Sequence, residues 1–320
     1  MEVIMNEAER IESARRFLEA KIETEFSYPF QVTYEDGHFM FTLKNGRTEC
    51  CAKLKQTQEL IERLSEGSTE ERQKELDRLY EVLKAAVRAQ ETAVFSKDSE
   101  FEKVKDRLIL RPLNYFFFKD SIGDVPHIRI GDIALVLYAV MSHVGADYFT
   151  AKMHREQIAH WGIPEDEVLQ TALVNTSFLY PPRLYSVEDM LAWDGKRRTD
   201  GRFMADGEAG KVRRGMRGYI LTNTLEINGA IAIFYPGVAR RIAEIADGDF
   251  YIAFTSIHEA QIHSAGMIPA DVVERSLRET NRHCNPEEEV LTDQVYCYRT
   301  EKGSFGVIRD GEFLEVKRDE

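Results

Sequence analysis

The chain has 320 residues, with 42 Lys and Arg against 55 Asp and Glu, a formal net charge of −13. It is 43% hydrophobic and 30% charged, with only 20 Gly and 9 Pro, which excludes a mainly disordered or collagen-like chain. Its 4 Cys are too few for a disulfide scaffold, and its negative charge argues against a general polyanion binder.

The length suits about two domains. Cys50 and Cys51 are adjacent, Cys284 and Cys297 stand apart, and no C-x-x-C pair exists. Four ordinary thiols are expected, with no metal and no cofactor. The first residues, Met1-Glu2-Val3-Ile4, lack the basic region and apolar core of a signal peptide. The longest apolar run, Ile133 to Met141, is about half of the ~20 residues a membrane span needs. A cytoplasmic protein with no membrane contact is expected.

In chain order, Asn6 to Ile22 is expected to be helical, with Ile11, Ala14, Leu18 and Ile22 on one face. Phe30, Val32 and Tyr34, then Phe39, Phe41 and Leu43, alternate around Asp36-Gly37 and predict a hairpin. Asn45-Gly46 is a second turn, so Arg47 to Lys53 adds a third strand. From Leu54 to Val94 the chain reads as charged helix, with a narrow stripe of Leu76, Leu79, Leu83 and Val87. The polar Ser96-Lys97-Asp98-Ser99 marks a boundary.

Beyond it, Arg107 to Leu113 reads as a strand and Phe116-Phe117-Phe118 as core. Ile133 to Met141 is apolar on both faces, so a central buried strand is expected, with Tyr148 to Thr150 beside it. Helices are expected at Lys152–His160, Pro164–Asn175, Gly237–Ala246 and Asp271–Arg282, and a short one capped by Ser186 and Asp189. Gly218 to Glu226 reads as a strand, and Ala230 to Tyr235 is ambiguous. Phe250–Phe254 with Ile257–His263, and Gln294–Arg299 with Ser304–Ile308, read as hairpins. Residues 311–320 read as a charged tail that frays. Frequent antiparallel hairpins without a regular βαβ repeat give an α+β class with mixed, largely antiparallel sheets. The expected division is a helix, hairpin and charged helices over 1–98, an α+β domain over 99–310, and the tail.

Several segments in order carry a resemblance. They are Val125-Pro-His-Ile-Arg-Ile-Gly-Asp-Ile-Ala-Leu-Val-Leu-Tyr138, Trp161-Gly-Ile-Pro-Glu-Asp-Glu-Val168 running to Ala172-Leu-Val-Asn175, Tyr219-Ile-Leu-Thr-Asn223, Asn228-Gly-Ala230, Tyr235-Pro-Gly237 and Thr255-Ser-Ile-His-Glu259. Over roughly 100–310 the chain resembles a family of bacterial proteins known only as a domain of unknown function, common in gut anaerobes. More distantly it is similar to the YtpQ-like uncharacterised family. The resemblance implies one bacterial cytosolic module and supplies no mechanism.

The most suggestive string is Ser256-Ile-His258-Glu259-Ala-Gln-Ile-His263. Its two His are one residue too far apart for the H-E-x-x-H zinc pair, which needs both on one helix face. On a strand they point to opposite faces, with His258 among packed residues and His263 in an exposed polar row. His258 and Glu259 are the candidate acid and base, because His titrates near neutral pH. Asn175 and Asn223 are candidate ligand contacts, read first as a helix cap and an Asx-turn. Asp132, with Gly131, is read as a turn cap.

Residues 193–217 hold eight basic residues and four acidic ones within an acidic chain. The five glycines among them predict an exposed, flexible loop. Arg197, Arg198 and Arg202 are its candidate anion contacts. No hydrolase elbow, kinase signature or dinucleotide fingerprint is present. The reading is therefore a non-enzymatic interaction or regulatory module with an unknown protein partner. One alternative is an enzyme using His258 and Glu259. The other is nucleic-acid or anion association through the loop, the one place where a nucleic acid would fit.

Overall fold

The computed structural model describes residues 11–17, 19–20, 30–35, 38–45, 48–53, 70–71, 73–74, 77–78, 80–81, 100–144, 147–187, 200–205, 217–309, 312–316 and 318–319. They belong to two compact units, Met1–Ser99 with Ala139–Ala151, and Glu100–Tyr138 with Lys152–Glu320.

In the first unit, residues 11–17 are helical. Three antiparallel strands follow: β1 (Phe30–Glu35), β2 (His38–Asn45) and β3 (Thr48–Lys53). In their register Val32 stands opposite Phe41 and Tyr34 opposite Phe39. The expected Asp36-Gly37 turn lies outside the described residues, and its flanks pair as expected, Glu35 with His38. Most of the expected helix 54–94 also lies outside them.

The second unit holds two mostly antiparallel sheets with helices, and the fold class is α+β. The smaller sheet contains β4 (Leu108–Asn114), β5 (His127–Ile130), β6 (Ile133–Val144) and β15 (Arg318–Asp319), in the order β15-β5-β6-β4. Residues 133–137 of β6 are almost wholly buried, as a strand apolar on both faces requires. Past Tyr138 the strand continues into the first unit, where β7 (Asp147–Lys152) pairs with it. The larger sheet has the order β14-β13-β12-β10-β11-β9-β8. Its strands are β8 (Pro182–Ser186), β9 (Arg217–Asn223), β10 (Phe250–Ala253), β11 (Ala260–Ser264), β12 (Tyr296–Arg299), β13 (Ser304–Arg309) and β14 (Glu312–Glu315).

The helices are α1 (Phe101–Val104), α2 (Tyr115–Ile122), α3 (Arg155–Ala159), α4 (Glu165–Leu179), α5 (Val238–Ala246) and α6 (Ala270–Cys284). Helix α4 begins after Pro164 with Glu165, Asp166 and Glu167 in its first turn, where the helix dipole favours acids. It buries Val168, Leu169, Ala172, Leu173 and Thr176. The Thr176 hydroxyl accepts from the Leu110 amide of β4 at 2.9 Å and donates to Ala172 O at 2.6 Å. Helix α5 ends on Asp247, whose left-handed backbone is followed by Gly248. None of the described helices is long and apolar enough to cross a membrane.

Four local expectations change. Phe116 and Phe117 are 59% and 50% exposed, so only Phe118 of this cluster packs on the core, against Ile122, Val125, Ala134 and Val136. Pro182–Ser186 forms an unexpected edge strand, and residues 229–234 form a 3-10 helix. Residues 312–315 pair with β13 instead of fraying.

The two sheets of this unit are joined by one buried carboxylate. Asp132, in the β5–β6 turn, accepts from the Tyr296 hydroxyl at 2.6 Å, the Thr292 hydroxyl at 2.6 Å and the Gln294 amide at 3.0 Å. Gly131 beside it has φ +66°, and a Cβ there would lie 2.5 Å from the Tyr296 oxygen. Burial, then the negative charge of Asp132, pushes the Tyr296 phenol above its ordinary range, so it stays a donor. Removing the acceptor takes this partner from the Thr292 hydroxyl and the Gln294 amide, while the Tyr296 hydroxyl keeps Ile130 O at 2.9 Å. Asp132→Ala is expected to cost about 3 kcal/mol and Tyr296→Phe about 1 kcal/mol in urea unfolding followed by fluorescence. Unchanged midpoints would refute this role.

Candidate functional site

Strands β10 and β11 pair antiparallel, as expected, but residues 254–259 between them are not strand. His258 and Glu259 therefore sit in a connecting loop, which corrects their expected placement on alternating strand faces. The cause is local: Ser256 Oγ accepts from the His258 amide at 3.0 Å, a hydroxyl turn that competes with a ladder. The loop is then fixed from several sides. The Ile257 amide donates to Glu289 O at 2.9 Å, and the Ala230 amide donates to Ile257 O at 3.2 Å. Thr222 Oγ1 donates to His258 O at 2.9 Å, and the Asn285 amide donates to Thr255 O. Gly229 permits this closeness, because a Cβ there would lie 2.5 Å from His258 O.

The His258 ring is a partly buried hydrogen-bonding group. Its Nδ1 accepts from the Asn228 amide at 3.1 Å. An N–H can only be met by a lone pair, so the neutral ring carries its proton on Nε2. Nε2 faces Glu289 Oε1 at 3.4 Å, with the two side chains 21% and 32% exposed. Glu259 Oε1 accepts from Thr255 Oγ1 at 3.1 Å. In this arrangement the imidazole has no free lone pair with which to take a proton from a substrate. A metal on Nε2 would require an imidazolate, and among the described residues no group of three His, Cys, Asp or Glu could hold an ion.

His263 lies 8% exposed, against the expected exposed row. The β9–β11 register shifts between Ile262 and His263, and Gly218 is the extra residue, with φ +69°. Its amide donates to His263 Nδ1 at 3.1 Å. The bulge turns the ring inward and supplies its partner.

Asn223 adjoins His258 through Thr222 and Gly229. It is buried, its Oδ1 accepts from the Leu225 amide at 2.9 Å, and its Nδ2 donates to Ile227 O at 2.9 Å. It thus closes an Asx-turn and clamps the 223–228 loop that presents the Asn228 amide. Asn175 lies inside α4, and its Nδ2 donates to Lys105 O at 2.5 Å and Leu108 O at 3.3 Å. Its bonds run to the turn before β4 and not to the His258 loop. Arg202 pairs with Asp200, while Arg197 and Arg198 lie outside the described residues. The 200–205 segment is packed: the Leu184 amide donates to Gly201 O at 2.8 Å, Phe203 is fully buried, and Arg241 Nε donates to Phe203 O at 3.0 Å.

The sequence reading missed Glu289 as the partner of His258. It also missed Asn281 on α6 and Asn285, the residue that caps its C-terminal end. Asn281 Nδ2 donates to Thr292 O at 3.0 Å, which connects this loop to the residue that holds Asp132. The i, i+4 asparagines were the available signal. An open cavity of about 460 Å³ is lined by Ala246, Asp247, Asp249 and Ser264–Met267, none of them a candidate residue. Of the described thiols, Cys284 is exposed, and burial pushes buried Cys297 up to about 11, away from reactivity.

Two measurements check this account. Long-range nitrogen–proton spectra are expected to show the Nε2–H tautomer for His258 and His263 at neutral pH; an Nδ1–H ring would contradict the geometry. Asn223→Ala is expected to lose about 2 kcal/mol in urea unfolding. Full stability would instead mean that Asn223 is held for a ligand.

No curated protein and no solved structure matches the chain. A family model does, over residues 41–300, and the span includes the His258 loop, Asn175, Asn223 and the Asp132 tie. The chain therefore belongs to the Family of unknown function (DUF5688).

Proposed function

We propose that this protein is a bacterial, cytosolic, non-enzymatic interaction or regulatory module that engages a protein partner through an apolar surface at the end of α4. The observation that carries this reading is the exposure of Phe178. It is 79% exposed, with Val174 at 39% one helical turn before it and Leu179 at 46% after it. The Thr224 amide donates to Pro181 O at 3.1 Å, which brings exposed Leu225 beside the same end of the helix. Clustered apolar side chains facing water mark binding surfaces more often than single ones do. The Asn228 amide on His258 Nδ1 supports the same reading, because it occupies the lone pair with which a neutral ring would take a proton.

The enzyme reading keeps one observation in its favour, the His258–Glu289 pair at a half-open loop. Anion or nucleic-acid association through 193–217 rests on the charge of that segment alone. Affinity capture from the source bacterium separates the three. A partner retained by the native chain and lost with Val174→Glu/Phe178→Glu, at unchanged circular dichroism, is expected. Capture unaffected by that variant, but abolished by neutralising Lys196, Arg197, Arg198 and Arg202, would move the interaction to the loop. In that case binding would weaken steeply with salt. Failure to enrich any partner would count against the module.

A further inference from the structure

One edge of the larger sheet is shaped for a strand that the chain itself now supplies. β14 pairs with β13 in the register Ile308 opposite Phe313 and Arg309 opposite Glu312. The Phe313 ring leans diagonally over Gly306. A Cβ on Gly306 would fall 2.3 Å from the ring, so the notch exists only because that residue has no side chain. Two cations border the notch, with Arg299 Cζ 5.0 Å and Lys302 Nζ 5.8 Å from the ring centroid. Arg309 stands opposite Glu312 in the register, so a basic residue of the receiving edge is placed against an acidic one of the segment, although its guanidinium donates to Gln294 at 3.4 Å.

The seated segment is held lightly. Glu312, Leu314 and Glu315 are exposed, and Val316 adds one amide bond, to Phe305 O at 3.0 Å. The chain then reaches the other sheet, where β15 pairs with β5 at only two positions, Arg318 with Ile130 and Asp319 with Arg129. Short, solvent-facing edge pairings open locally at far lower cost than the buried strands behind them. By contrast Tyr296, Cys297 and Tyr298 of β12 are all buried.

We propose that the β14-facing edge of β13 is a strand-recognition groove whose resident occupant is Glu312–Glu315, and that it takes an extended acidic peptide with an aromatic side chain over Gly306 when that segment leaves. Main-chain bonding along β13 provides affinity for any strand; the Gly306 notch, with Arg299 held beside the ring by its ion pair to Asp249, selects the aromatic, and Lys302 favours an acidic segment. This groove is independent of the α4 surface, so either assignment can fail alone.

The test uses the full chain and a fluorescent peptide of residues Asp310–Glu320. Phe313→Ala in the chain empties the notch and keeps the groove. That variant is expected to bind the peptide about tenfold more tightly than the native chain does. Adding Gly306→Val should abolish binding, as should replacing Phe by Ala in the peptide. Equal binding of the two peptides, or no binding to a folded Phe313→Ala chain, would overturn the proposal. Should that variant not fold, hydrogen exchange on the native chain decides. Amides of 312–316 are expected to exchange through local opening well before those of β12. A shared, global opening would overturn it equally.

Discussion

The Asp132 carboxylate is the contact on which the second unit turns. It sits in a two-residue turn of the smaller sheet, yet all three of its side-chain donors come from the segment 292–296 that enters β12. A buried carboxylate without donors would be too costly to keep, so the two sheets are held wherever those donors are in place. Gly131 is part of the same constraint, since any side chain there would displace the Tyr296 oxygen. From Thr292 the network continues through Asn281 of α6 and its capping residue Asn285 to the carbonyl of Thr255. The loop carrying His258 and Glu259 is therefore anchored to the turn carrying Asp132.

That connection bears on how the polar residues should be understood. His258, His263, Asn223 and Asn175 all look like chemistry in a linear sequence. In the fold each satisfies backbone groups that secondary structure leaves unpaired: the Asn228 and Gly218 amides, the 223–228 loop, and the carbonyls before β4. Irregular backbone buried between elements needs such partners. The surface shows the opposite pattern. Phe178 and its neighbours face water, and Phe313 lies in a notch at a sheet edge.

Much of the fold was legible where one period dominates. The alternation around 30–53, the doubly apolar run at 133–141, the stop of α5 before Gly248 and the β12–β13 hairpin each follow from local pattern. The edge strands did not. β8 begins at Pro182, and β14 carries the charged string Glu-Phe-Leu-Glu, so both resemble loop or tail until a partner strand is present. The His258 loop was misplaced because Ile257 to His263 alternates well enough for a strand. The Thr255-Ser256 hydroxyls that break it stand immediately before that run.

The sequence by itself determined the α+β class, the acidic character, most elements and the candidate polar residues, because hydrophobic period and turn chemistry are properties of neighbouring residues. Only the tertiary structure decided what those polar residues do. The donors to Asp132 lie about 160 positions away along the chain, and the partner of His258 lies in a different segment from its own turn. Which lone pair is occupied, which edge is covered and which phenylalanine faces water are all set by contacts between distant segments, and no local pattern encodes them.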